Sequence, residues 1–203
     1  MTLRVVIPPH PIIGHWLSVL RNPETPPPIY ETGLQQISKW VTYEALRDWM
    51  PHRKEKIRTS HCETEGILIE SGVELLCMVN MPGGLHLWLG AKEIIPNGSL
   101  CVEEIPDNIE KTTGVIIFTD QITTGERLLN TLKSLRNKGV NSKRVRIVTV
   151  LASNQGLKRI GETIPDLTIY GACIDPEIVN KDECMPGIGN PKLRLKTRFK
   201  VRD

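Results

Sequence analysis

Thr123, Thr124 and Gly125 stand between an apolar run, Val115 to Phe118, and leucines at 128, 129, 132 and 135. Two hydroxyls and a glycine in that setting suit the holding of an anion. The run reads as a buried strand, and the leucines as one face of a helix closed by Lys138-Gly139. A helix that starts at the end of a parallel strand turns unpaired N–H groups and its positive dipole end toward a ligand, and a glycine lets the backbone come close. Phosphate fits that description. Glu126 adds a negative charge next to the turn, and Arg127 stands beside it to offset that charge. The alternative is an ordinary capped turn, with Thr124 or Thr123 as the N-cap.

Other reactive side chains are less organised. His10 and His15 are five residues apart, wrong for one helix face, so capping or packing is expected rather than metal binding. His86 lies between Leu85 and Leu87 and reads as a helix histidine. Cys62, Cys77, Cys101, Cys173 and Cys184 are scattered and form no C-x-x-C pair, which fits a reducing cytoplasm and neither a disulfide framework nor zinc. Cys77, Cys101 and Cys173 lie in apolar runs and are expected in the core, and the helical settings of Trp16, Trp40, Trp49 and Trp88 suggest core or dimer packing.

The elements that must position the turn follow from periodicity. Residues 1–9 look extended, a short helix spans Ile12 to Leu20, and 22–28 is a proline-rich connector expected to be non-helical. Leu34, Ile37, Val41 and Ala45 mark an amphipathic helix that stops before Pro51. His52-Arg53-Lys54 with Lys56 and Arg58 reads as a solvated basic loop. Strands are expected at 67–69, 75–79, 100–102, 115–118, 146–151 and 167–174, with helices at 85–94, about Leu128 to Leu135, and 155–160. Strands alternating with helices imply right-handed crossovers and a mostly parallel twisted α/β sheet with helices on both faces. With 203 residues and 39% hydrophobic content, one domain over 1–190 is expected, with 191–203 as a tail. No run of apolar residues is long enough for a membrane span, and a cytoplasmic location is expected.

The Thr-Gly turn resembles the phosphoribosyl-pyrophosphate loop of the phosphoribosyltransferases. Further blocks narrow the resemblance to the uracil phosphoribosyltransferases. These are His10-Pro11-Ile12-Ile13-Gly14-His15-Trp16-Leu17 with Leu20-Arg21, then Thr42-Tyr43-Glu44-Ala45, Ile164-Pro165-Asp166-Leu167, and Tyr170 to Ile174-Asp175. Pro186-Gly187-Ile188-Gly189 is similar to the turn whose backbone holds uracil in that family. The resemblance implies a phosphoribosyltransferase fold, a phosphate site at Asp120, Thr123, Thr124, Gly125 and Arg127, and a base site at Pro186, Gly187, Ile188 and Gly189. Asp120 matches an acidic position of other phosphoribosyltransferases, where it would meet a ribose hydroxyl.

Departures from the family pattern fall on the chemistry. The family's Arg-Ala-Gly, which meets the diphosphate, falls on Pro82, Gly83 and Gly84. A diphosphate calls for a cation or a bidentate donor, and proline offers neither charge nor N–H. Only twelve residues separate Val102 from Val115, where the family inserts a longer arm that excludes water. After Gly189 the chain continues Asn190-Pro191-Lys192 in place of the family's aspartates and glycine. The expectation is a catalytically impaired dimeric binding or assembly subunit with UMP or phosphate as ligand. Mg²⁺ would be needed only if transfer survives. The alternatives are an active enzyme making UMP from uracil and phosphoribosyl pyrophosphate and, behind it, an RNA-binding pyrimidine regulator.

The tail departs from the family by gaining charge. Residues 192–203 hold six of the 26 basic residues and one of the 23 acidic ones, so the tail carries +5 and the body −2. Lys192, Arg194, Lys196, Arg198, Lys200 and Arg202 alternate with mostly apolar residues, a strand period with the cations on one face. Either an edge strand guarded by charge or a docking arm for an acidic protein is expected, with nucleic acid or a membrane surface ranked below the protein.

Overall fold

In a computed structural model, residues 3–70, 72–102, 104–181 and 183–196 are described. The chain runs β1 (Arg4–Val6), α1 (Pro11–Arg21), α2 (Pro27–Leu46), β2 (His52–Arg58), β3 (Glu63–Ile69), β4 (Leu75–Val79), α3 (Gly83–Ala91) and β5 (Gly98–Val102). It continues with β6 (Gly114–Ile122), α4 (Glu126–Asn137), β7 (Val145–Ser153), α5 (Asn154–Thr163), β8 (Thr168–Asp175), β9 (Glu177–Asn180), β10 (Glu183–Met185) and α6 (Pro191–Arg194).

Six strands form one sheet in the order β1-β8-β7-β6-β4-β5. Every pairing within it is parallel. This is the mostly parallel α/β sheet that the residue patterns imply, and it matches the phosphoribosyltransferase-like fold that the resemblance implies. Strand side chains alternate between two cores. Ile116 and Phe118 of β6 pack with Leu34, Ile37 and Val41 of α2, while Val115 and Ile117 face Leu128, Leu132 and Leu135 of α4. Helices α1, α2 and α3 therefore cover one face, and α4 and α5 the other.

Three local expectations are corrected. Pro27 and Pro28 belong to α2, because a proline in the first turn lacks only an N–H that the helix leaves unpaired anyway. The basic 52–58 segment is a strand, paired antiparallel with β3 in a hairpin apart from the main sheet. Its cations find partners across and along the hairpin, Lys54 with Glu65 at 2.8 Å and Arg53 with Glu55 at 3.0 Å. The tail does not begin as a strand. Asn190 caps α6 by accepting from the Lys192 amide at 3.0 Å, and Pro191 occupies the first helical position. Arg198, Lys200 and Arg202 lie outside the described residues.

All five cysteines are free thiols; Cys77 and Cys101 are buried and Cys173 half-buried. His10 caps α1, its Nδ1 accepting from the Ile12 amide at 3.2 Å. Trp88 is buried, and Trp16, Trp40 and Trp49 pack partly buried against the core. Among the described residues no helix is long and apolar enough to cross a membrane.

Candidate functional site

The carboxyl ends of parallel strands are where ligands of such folds bind, and the candidate residues converge there. β6 delivers Thr119 and Asp120, the chain turns through 123–125, and α4 begins at Glu126. Gly125 is the N-cap with φ +73°, a left-handed conformation that glycine adopts without strain, and it makes no side-chain cap. Thr124 Oγ1 accepts from the Glu126 amide at a long 3.4 Å. Thr123 is spent elsewhere: its hydroxyl donates to the Lys181 carbonyl, and its own carbonyl accepts from Ser153 Oγ at 2.6 Å. The turn thus offers backbone donors and Thr124 to a ligand, while the Thr123 hydroxyl ties down the β9 end. Asn80 and Lys181 complete the walls of a small polar cleft over residues 119–128.

Pro82 to Gly84, expected as a turn before a helix at 85, is the N-cap and first residues of α3, and this helix start packs directly against the β6 side of the 123–125 turn. A Cβ on Gly83 would collide with Asp120 Oδ2, and one on Gly84 with the Phe118 carbonyl, so both glycines answer to close approach by β6. The Asp120 carboxyl therefore occupies the ground immediately over Gly83. Burial pushes its pKa up from 3.8 to about 6, against the opposing pull of the Gln121 amide, the Arg127 charge and the Gly83 amide. The folded protein keeps a proton on Asp120 that the unfolded chain releases above 3.8. Stability from this group is therefore full below that pH, is lost as pH rises through about 6, and above it the charged carboxylate is a fixed cost. Asp120→Asn is expected to be more stable than the parent at pH 8, by up to about 3 kcal/mol at 1.4 kcal/mol per pKa unit. The gain should shrink as pH falls through about 6 and vanish only below about 3.8, which urea melts from pH 8 down to that value would register.

The base turn is held from several sides. Asp175, 1% exposed, forms a two-pronged pair with Arg21 at 2.6 and 3.2 Å. Asp175 Oδ2 also accepts from the Gly187 amide at 2.8 Å, while Arg21 donates to the Gly187 carbonyl at 3.0 Å. The Arg21 guanidinium is held above its usual pKa, chiefly by the hydrogen bond to Asp175. Tyr30 donates to the Ile188 carbonyl at 3.3 Å, and burial raises its pKa, which keeps it a donor. Gln121 bridges the two turns, donating to the Gly189 carbonyl at 2.9 Å and accepting from the Cys184 amide at 3.1 Å.

Arg194 is an anchor rather than a free cation. Its guanidinium lies 4.4 Å over the Tyr30 ring and donates to the carbonyls of Asn22 at 2.8 Å and Thr25 at 3.3 Å. That is a correction to the uniform cationic face expected of the tail, and the helical path of α6 is its cause. Lys192 and Lys196 are exposed.

The structure thus brings Asp120, Thr124, Gly125 and Arg127 together with Gly83, and sets the 186–189 turn beside them through Gln121. Asn80, Gln121 and Lys181 escaped sequence reasoning, since each is an isolated polar residue whose place depends on the fold. Among the described residues no group of three or more His, Cys, Asp or Glu side chains gathers to hold a metal. A magnesium ion here would lean on Asp120 and on oxygens of the ligand.

Comparison with known proteins agrees with the geometry. The family model for uracil phosphoribosyltransferase matches residues 6–194. The uracil phosphoribosyltransferase of Synechococcus elongatus is 30% identical over 209 residues, spanning 95% of this chain and 96% of that protein. The chloroplastic uracil phosphoribosyltransferase of Arabidopsis thaliana is 26% identical over 202 residues, spanning 92% of this chain and 68% of that one. Among solved structures, the AQ2163 protein from Aquifex aeolicus shares the fold with a TM-score of 0.79 at 23% identity, over 94% of this chain and 97% of that one.

Proposed function

This chain belongs to the uracil phosphoribosyltransferase family, and from that premise we propose that it binds phosphate or a nucleoside monophosphate such as UMP but transfers phosphoribosyl groups poorly. The observation that carries the proposal is the Asp120 carboxyl packed over Gly83 beside a Pro82 that offers no charge. Transfer to uracil releases a diphosphate, whose growing negative charge must be met by donors as the glycosidic bond breaks. A carboxylate at that turn works against this, and it is half-charged near pH 6 and ionised above it.

Each remaining group has a role in binding. The backbone N–H groups at the start of α4 would meet a phosphate, with Thr124 beside them. The 187–189 turn would present backbone to a uracil edge, kept in place by Arg21, Asp175 and Tyr30. Mg²⁺ enters only with a diphosphate-bearing substrate, where it would neutralise charge. A second reading, an active transferase, is favoured by the whole-length match to relatives that carry that name.

Assembly belongs to the proposal as well. The hairpin leaves Ile67 66% exposed and Ile69 46% exposed on an arm apart from the main sheet, which supports a homodimer in which this arm is covered. Lys192 and Lys196 leave the tail a docking role toward an acidic protein.

Titration with phosphate and UMP tests the binding half. A ligand held with a Kd on the order of 1 mM should, at tenfold excess, stabilise the fold by about 1.4 kcal/mol and raise Tm. Amide resonances of residues 119–128 should shift in parallel. If millimolar phosphate and UMP leave both unchanged, the turn is a helix start with no ligand.

A further inference from the structure

The end of α4 remote from the anion site borders a cavity of about 400 Å³, within the size range of small-molecule sites. It lies where α4 leads into β7 and α5 leads into β8, at the amino ends of those strands. The 12 residues of α4, about 18 Å at 1.5 Å per residue, separate it from the 123–125 turn. Leu132, Leu135, Val145 and Ile164 give it an apolar floor that belongs to the core on that face of the sheet.

The two walls differ in polarity. On the α4 side, Arg136 and Asn141 supply donors. Asn141 Oδ1 is occupied by the Lys143 amide at 2.8 Å, which leaves the NH₂ of the carboxamide for a ligand. On the α5 side, Thr163 and Asp166 supply acceptors. The Thr163 hydroxyl donates to the Arg159 carbonyl at 2.8 Å, so its oxygen is left to accept, and Asp166 adds a half-buried carboxylate. Among the described residues neither Arg136 nor Asp166 has an ion-pair or side-chain hydrogen-bond partner. A cation and a carboxylate thus border one cavity without joining each other.

We propose that this cavity binds a free amino acid with an apolar side chain. The ligand carboxylate pairs with Arg136 and Asn141, its ammonium with Asp166 and Thr163, and its side chain rests on the leucine floor. An anion alone would be repelled by Asp166, and an amine alone by Arg136. A zwitterion satisfies both walls at once, through charge-assisted bonds. The site is separate from the anion turn at the other end of α4 and does not depend on it.

Calorimetric titration of the full chain with L-leucine tests the site. Isocaproate, isopentylamine and glycine serve as probes that lack the ammonium, the carboxylate and the side chain in turn. Leucine should bind with a Kd of about 1 mM or tighter, and each probe at least about tenfold more weakly, the scale of one charged hydrogen bond or one buried leucine side chain. Arg136→Gln and Asp166→Asn should each weaken leucine by about tenfold or more. Both side chains lack partners in the protein, so the variants keep the parent's fold. Amide resonances of residues 132–142 and 163–166 should shift with leucine while those of 119–128 stay in place, which separates this site from the anion turn. If millimolar leucine shifts nothing, if any probe binds as tightly, or if either substitution leaves the affinity unchanged, the cavity is not an amino-acid site.

Discussion

Asp175→Asn is expected to cost about 3–5 kcal/mol of stability, the range for leaving one member of a buried ion pair without its partner. The carboxylate is almost fully enclosed and accepts from Arg21 twice and from the Gly187 amide once. Removing its charge leaves the Arg21 guanidinium, itself only 24% exposed, without a counter-ion. For a chain of this size the loss corresponds to a Tm lowered by roughly 6–20 °C. Arg21→Met paired with Asp175→Leu should cost less than Asp175→Leu alone, because no charge is then stranded, but should not restore the parent's stability, because the Gly187 amide lacks its acceptor in both. Denaturant melts of the two single variants and the double variant would measure the coupling. A single-variant loss under about 1 kcal/mol would reduce the pair to an ordinary surface bridge.

Turnover of uracil is expected at least about 10³-fold below that of a family member with arginine at the diphosphate turn, the scale of one strong transition-state contact. Pro82→Arg alone should not restore it. The Asp120 carboxyl would still lie over Gly83, and only eleven residues of sequence connect Val102 of β5 to Gly114 of β6. A new arginine at 82 would meet that carboxylate as readily as a substrate. Pairing Pro82→Arg with Asp120→Asn removes the opposing charge, so any gain should come only from the double substitution. Restoration by Pro82→Arg alone would show that the proline was the sole defect.

How much of this was legible depended on whether the signal was local. The strand-turn-helix around 123–125 was readable because apolar run, polar turn and leucine face lie within one short stretch. The Arg21–Asp175 joint was not. Both residues stood inside blocks that carry the family resemblance, yet they are 154 positions apart and nothing in either block says they meet. The 52–58 segment reads as a loop because its charged residues fall on both sides of the ribbon, so no half-buried alternation announces a strand; pairing with β3 makes it one. The tail shows the opposite error. Its strict alternation from Lys192 onward mimics a strand, but Asn190 followed by Pro191 is a helix start, and that local signal wins over 191–194. At the site, Pro82 told of a lost cation, while Arg127 on the Met81 carbonyl could be located only by folding the chain.

Ligand binding without efficient transfer can be tested on one sample. Purified full chain should be assayed for kcat/KM with uracil and phosphoribosyl pyrophosphate in Mg²⁺, beside phosphate binding measured on the same preparation. Saturable phosphate binding is expected together with a kcat/KM at least about 10³-fold under that of an ordinary family enzyme run in parallel. An ordinary kcat/KM from this chain would contradict that expectation and establish the active transferase instead.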